Sequence, residues 1–219
     1  MNFYVVVEGI SEKPIYKHWI PLVNPELSSV DSISDIDEDN FFIVSGGGYP
    51  NYFNIIENAI QDVENNPSID RLIIGVDSED FTKDEKEREL IKFVESHKTK
   101  SIDYKIIVQH FCVETWALGN VAIVRRNPHN SELRDFLKIH NVKDSDPENL
   151  PANPMLKLNR AQFAELYLRK LLNEKHRSLT YNKRNPRPLL HVSYFTRLQD
   201  RVESTGHISS FNDFLQAFD

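Results

Sequence analysis

Leu72-Ile73-Ile74-Gly75-Val76-Asp77-Ser78-Glu79-Asp80 is the stretch on which the fold turns. Its first five residues are almost wholly apolar. A run this short and this apolar predicts a strand buried on both faces, as in a parallel sheet. Acidic residues follow it at once. The arrangement repeats outward in both directions. Phe3 to Val7 reads as a buried strand ending at Glu8 and broken by Gly9, Phe41 to Val44 as a strand closed by Gly46-Gly47-Gly48, and Tyr104 to Phe111 as a fourth.

Helical patterns lie between them. Ser11 is expected to cap a first helix with Glu12 in its first turn, Ile15, Trp19, Ile20 and Leu22 on its apolar face and Pro21 as its end. Residues 24 to 39 read as a polar, acidic loop. Asn51 opens an amphipathic helix bearing Phe53, Ile56, Ile60 and Val63. Thr82-Lys83-Asp84-Glu85 has capping-box spacing, opening a helix with Leu90, Phe93, Val94 and His97 inward. This alternation predicts a doubly wound α/β fold: a mainly parallel four-stranded sheet with right-handed crossovers.

The rhythm changes past residue 125. Pro128, Pro147, Pro151 and Pro154 punctuate a polar region, Phe163, Leu166, Tyr167, Leu171 and Leu172 mark a helix, and Phe211, Phe214, Leu215 and Phe218 mark another. The expected organisation is a catalytic-type domain over 1–124 and a helical, basic extension over 125–219 packed on it.

A chain of 219 residues with 40% hydrophobic side chains supports one sizeable core with an appended subdomain. Its longest apolar stretches, such as 72–76 and 121–124, fall far short of the roughly 20 residues a membrane helix needs. The first residues lack the basic start and cleavage site of a secretory signal. Cys112 is the only cysteine, which rules out an internal disulfide and a cysteine zinc cluster. The expected compartment is the cytoplasm.

A net charge of -7 argues at face value against nucleic acid as a partner. Divided at residue 124, it reads differently. Residues 1–124 carry 10 Lys+Arg and 22 Asp+Glu, a balance of -12, while residues 125–219 carry 16 and 11, a balance of +5. The acidic half calls for cations and the basic half suits phosphates.

Ligands of open parallel sheets collect at the carboxyl ends of strands. Here Glu8 ends the first strand, Glu12 can point back across Gly9, Asp77 and Glu79 project together after the third, and Glu114 follows the fourth. Hard oxygen donors of this kind select Mg²⁺, Mn²⁺ or Ca²⁺ over Zn²⁺. Plainer readings exist: Glu12 as a first-turn helix charge, Asp77 as a turn former, Glu114 as a surface residue, and Asp80, Asp84, Glu85, Glu87 and Glu89 as a solvated face.

Over about residues 3 to 120 the chain resembles the Toprim family, in particular the nuclease domains of OLD-family (overcoming lysogenization defect) proteins and small stand-alone Toprim defence proteins. The motifs that carry the resemblance are Val7-Glu8-Gly9-Ile10-Ser11-Glu12, Ser45-Gly46-Gly47-Gly48 and Gly75-Val76-Asp77-Ser78-Glu79-Asp80. The resemblance implies a Mg²⁺- or Mn²⁺-dependent nuclease cleaving DNA or RNA, an effector of anti-phage or mobile-element defence. Glu8 and Glu12 match the family's first-motif glutamates, Asp77 and Glu79 its Asp-x-Asp pair, Glu114 the acid of its Ser-x-Glu, and Lys183 its later lysine. By this correspondence Glu8, Asp77 and Glu79 hold the principal metal, Glu12 and Glu114 a second, and Lys183 neutralises the phosphoryl group, with Arg184 and Arg187 as further nucleic-acid contacts. Two positions depart from the pattern: Glu79 stands for Asp and Cys112 for Ser. The chain has no Gly-x-x-x-x-Gly-Lys-Ser/Thr sequence, so an ATPase in such a system is expected as a separate partner protein.

Other classes fit less well. There is no Gly-x-Ser-x-Gly elbow, and Cys112 reads as a buried structural thiol. No His-Glu-x-x-His occurs; His18, His97, His140 and His176 read as helix-face residues and His191 as a core or strand histidine. The serious rival is a Toprim-like binding or regulatory subunit with at most one cation, for which exposed Tyr194, Phe195 and Phe211 would offer an interface unless they pack onto the sheet. A receiver-like signalling domain with one Mg²⁺ is a third reading.

Overall fold

Every residue of Phe3–Val7 (β1) is buried, and a strand that shows no face to water needs neighbours on both edges and layers on both sides. The computed structural model, which describes residues 1–219, supplies both. β1 is the middle of a five-stranded open sheet with Ser28–Val30 (β2), Asn40–Ser45 (β3), Arg71–Asp77 (β4) and Tyr104–Gln109 (β5), ordered β2-β3-β1-β4-β5. All strands run parallel, in an α/β arrangement compatible with double winding. The registers pair Val7 with Ser45 on one side of β1 and with Gly75 on the other.

Side chains alternate between two cores. Tyr4, Val6, Leu72, Ile74 and Val76 pack with Tyr52–Asn65 (α2) and Lys83–His97 (α3) through Ile56, Ile60, Leu90 and Val94. On the opposite face Glu12–Val23 (α1) contributes Tyr16 and Trp19, which meet Phe214, while Phe3 meets Phe218. The chain leaves β1 through α1 toward the β2 edge and leaves β4 through α3 toward the β5 edge. Opposite directions on opposite faces give both crossovers the same hand. The sheet therefore switches direction between β1 and β4.

Two compact units are present: Met1–Val76, Thr82–Val108 and Asp213–Asp219 form one, and Asp77–Phe81 with Gln109–Asn212 form the other. The second contains Val113–Ala117 (α4), Ser131–Ile139 (α5), Arg160–Lys175 (α6) and Val192–Thr205 (α7); Ser209–Leu215 (α8) ends the helical series. Asn159 and Gln162 form a capping box for α6, and Glu148 accepts from the main chain and side chain of Ser210 at the start of α8. No helix is long and apolar enough to cross a membrane.

Several sequence expectations are corrected. The sheet has five strands, because β2 lies inside the segment read as a polar loop; only three residues long, it pairs β3 through Ser28 and Val30. α1 runs through Pro21 to Val23, since Asn24 N–H still closes the last turn on the Ile20 carbonyl. Ser11 makes no side-chain cap to α1; its hydroxyl donates to Glu12 instead. β5 stops at Gln109, as Phe111 turns to a φ of 21°. Tyr194, Phe195 and Phe211 are buried rather than exposed: Tyr194 donates to the Ala117 carbonyl, and Phe211 packs edge-on against both Phe195 and Trp116. His191 is neither core nor strand but the exposed N-cap of α7, where Nδ1 accepts the Ser193 N–H.

Candidate metal centre

The switch between β1 and β4 is where a parallel sheet opens a crevice at its carboxyl edge. Glu8 and Asp77 stand there, 7% and 5% exposed. The main chain fixes Glu8 from both sides: its N–H donates to the Gly75 carbonyl at 2.9 Å, and its own carbonyl accepts from Gly48 N–H at 2.9 Å. The glycine turn after β3 is what lets the chain come so near. A Cβ on Gly46 would stand 2.8 Å from Tyr52 Cα and 3.2 Å from the Glu8 carbonyl oxygen, while Gly47 and Gly48 hold φ of 78° and 84°.

Past β4 the chain makes a tight turn. Ser78 N–H donates to the Gln109 carbonyl, Glu79 N–H to the Phe111 carbonyl at 3.1 Å, and Phe81 N–H back to the Ser78 carbonyl. Glu79 takes a φ of 54°, sparsely populated for a residue with a side chain, and its bonded partner Phe111 is also at positive φ. The result aims Glu79 back at the strand end. One oxygen each from Glu8, Asp77 and Glu79 lies within 4.8 Å of the others. Oxygens opposed across a Mg²⁺ at its usual bond length stand about 4.2 Å apart and adjacent ones about 3 Å, so this donor set could close on a hard divalent cation by side-chain adjustment. Carboxylates this close repel one another, and a cation among them would offset that repulsion.

Glu12 and Glu114 occupy different positions. Glu12 is buried and turned back on its own loop, accepting from Gly9 N–H at 2.9 Å through Oε2 and from the Ser11 hydroxyl at 2.9 Å through Oε1. The expected reach across Gly9 is present, yet Glu12 does not join the three clustered oxygens. Glu114, in α4, is 1% exposed and so is no surface turn residue. Burial pushes its carboxyl above the usual range, opposed by the Lys183 ammonium, the Tyr181 hydroxyl and the Cys112 thiol. Tyr181 donates to Glu114 Oε1 at 2.7 Å. The Cys112 thiol is itself driven well up by burial and then by the charges of Glu114 and Asp77, which marks it as a neutral packing group.

Lys183 and Arg184 sit in an exposed turn closed by Asn185 N–H on the Asn182 carbonyl, and Arg187 begins a short 3₁₀ turn. Of the three, Lys183 is the one whose charge reaches Glu114. Sequence reasoning missed Tyr181, although a tyrosine two positions from the basic pair and needing a partner for its hydroxyl was a readable signal. It also missed His110, whose Nδ1 lies 3.3 Å from the Ser78 hydroxyl beside Asp77, and Arg160, whose guanidinium covers the Phe111 ring at 4.7 Å. Comparison with protein-family models, with curated proteins and with solved structures returns no match.

Proposed function

We propose that the chain is a divalent-metal-dependent nuclease of the Toprim type, hydrolysing phosphodiester bonds in DNA or RNA. The observation that carries the reading is the convergence of Glu8, Asp77 and Glu79 at the direction switch of a parallel sheet. Supporting it are the glycine turn, which matches the order of motifs in that family, and the excess of basic residues in the second half.

Glu8, Asp77 and Glu79 would hold Mg²⁺ or Mn²⁺. The bound ion would supply a lowered water pKa and stabilisation of the leaving oxygen. Glu12 keeps the Gly9–Ser11 turn closed so that Glu8 stays aimed, and it retains lone pairs for a second position. Glu114, with its proton affinity raised and Tyr181 holding it in place, feels the charge of Lys183. Lys183 would offset negative charge on the scissile phosphoryl group. In this reading the protein works in the cytoplasm as a defence effector alongside a separate ATPase.

A regulatory module that binds one cation without cleaving is the competing reading. The engagement of both Glu12 oxygens in the turn favours it. The two separate on incubation of the protein with plasmid, single-stranded DNA and total RNA in Mg²⁺, Mn²⁺ or EDTA. The nuclease reading expects cleavage in metal, none in EDTA, and a loss of at least about 100-fold in Glu8→Gln and Asp77→Asn. Cleavage that survives either substitution contradicts it.

A further inference from the structure

A cavity of about 700 Å³ lies wholly within residues 120–197 and involves none of the strand-end carboxylates. It is bounded by the 3₁₀ turn at Val121–Ile123, the end of α6, the segment 178–188 and the first two turns of α7. Its size falls in the roughly 300–1,000 Å³ range of small-molecule sites. Ile123, Leu172 and Leu179 give it apolar walls. Arg187, His191 and Arg197 line it as well, and no Asp or Glu does.

The donors there are available. Arg187 has no carboxylate partner, and Arg197 reaches only the exposed Asp200 at 3.4 Å, a weak solvent-exposed pair. Because a main-chain N–H can only donate, the Ser193 N–H on His191 Nδ1 places the proton of the neutral ring on Nε2, leaving a donor. Ser193 and Arg197, four residues apart on α7, share one helix face. Two carboxamides complete the lining with complementary functions. Asn120, buried, spends its oxygen on Ala122 N–H and keeps its amide donors; Asn185 spends its amide on the Thr180 carbonyl and keeps its oxygen.

Forked cationic donors suit a phosphate, and apolar walls with one amide donor and one acceptor suit a nucleobase edge. We propose that this cleft binds a nucleoside phosphate, with the phosphate on Arg187, Arg197 and His191 and the base against Ile123, Leu172 and Leu179. The ligand is either a free nucleotide or one unit of a nucleic-acid strand. The cleft shares no residue with the carboxylates of the metal centre, although Arg187 is also one of the nucleic-acid contacts that the family resemblance implies.

Equilibrium titration in EDTA tests it, with AMP, inorganic phosphate and a short oligothymidylate as probes against wild type, the double variant R187E/R197E and His191→Ala. Wild type is expected to bind AMP or the oligonucleotide more tightly than inorganic phosphate. The double variant should lose at least tenfold and His191→Ala several-fold, with circular dichroism unchanged. Tighter AMP identifies a free nucleotide, tighter oligonucleotide a strand. Glu8→Gln should bind like wild type, so failure of the nuclease reading leaves this result intact. Absence of binding by wild type, equal affinity for phosphate and AMP, or unchanged binding in both variants would overturn the proposal.

Discussion

At the carboxyl ends of β1 and β4, Glu8 and Asp77 are nearly buried and hang from main chain held by strand hydrogen bonds; in the cleft of residues 120–197, Arg187 and Arg197 ride in solvent on a short turn and a helix surface. The difference follows from what each region has to hold. Like charges stay close only where the backbone leaves them no alternative, and a register shared by three strands does that. Long cationic side chains around a cleft can instead adapt to an anion. Rigidity at the sheet edge should therefore cost stability when disturbed, whereas the cleft should tolerate change.

The strongest way to break the comparison is Gly46→Ala. The new Cβ meets Tyr52 and crowds the Glu8 carbonyl, and overpacking of this kind costs about 2 to 3 kcal/mol. Urea denaturation would show it as a lower midpoint at unchanged slope, and wild-type stability in this variant would mean that the glycine turn does not clamp Glu8. A smaller effect is expected from Tyr181→Phe. It strips a hydrogen bond from the buried Glu114, at about 1 to 2 kcal/mol. The smallest belongs to the cleft: R187E/R197E should stay within about 0.5 kcal/mol of wild type, because neither side chain is buried.

The two regions also differ in how far the sequence disclosed them. β4 was legible because Leu72 to Val76 can be apolar on both faces only inside a parallel sheet, and Asp77 and Glu79 followed from where such a strand ends. β2 was not, since Ser28–Val30 is a half-exposed edge whose only signal is its pairing to β3. The burial of Tyr194 and Phe195 was hidden in plain pattern: with Leu198 and Arg201 they recur at helical spacing on one face of α7, which marks packing and not display. His191 misled because a histidine among apolar neighbours resembles a core residue, whereas its ring nitrogen serves the helix cap. The reach of Glu12 back across Gly9 was legible from its place one turn into α1, whereas the positive φ of Glu79 depends on the Phe111 carbonyl far along the chain and leaves no periodic trace.

The central claim is that Glu8, Asp77 and Glu79 hold a divalent cation, and calorimetric titration of Mn²⁺ into wild type, Glu8→Gln and Asp77→Asn tests it most directly. Wild type is expected to bind, to gain about 2.7 kcal/mol of stability at a concentration 100 times its dissociation constant, and to lose at least tenfold in affinity with either substitution. A wild-type protein that takes up no Mn²⁺, or variants that bind it as tightly, would contradict the claim.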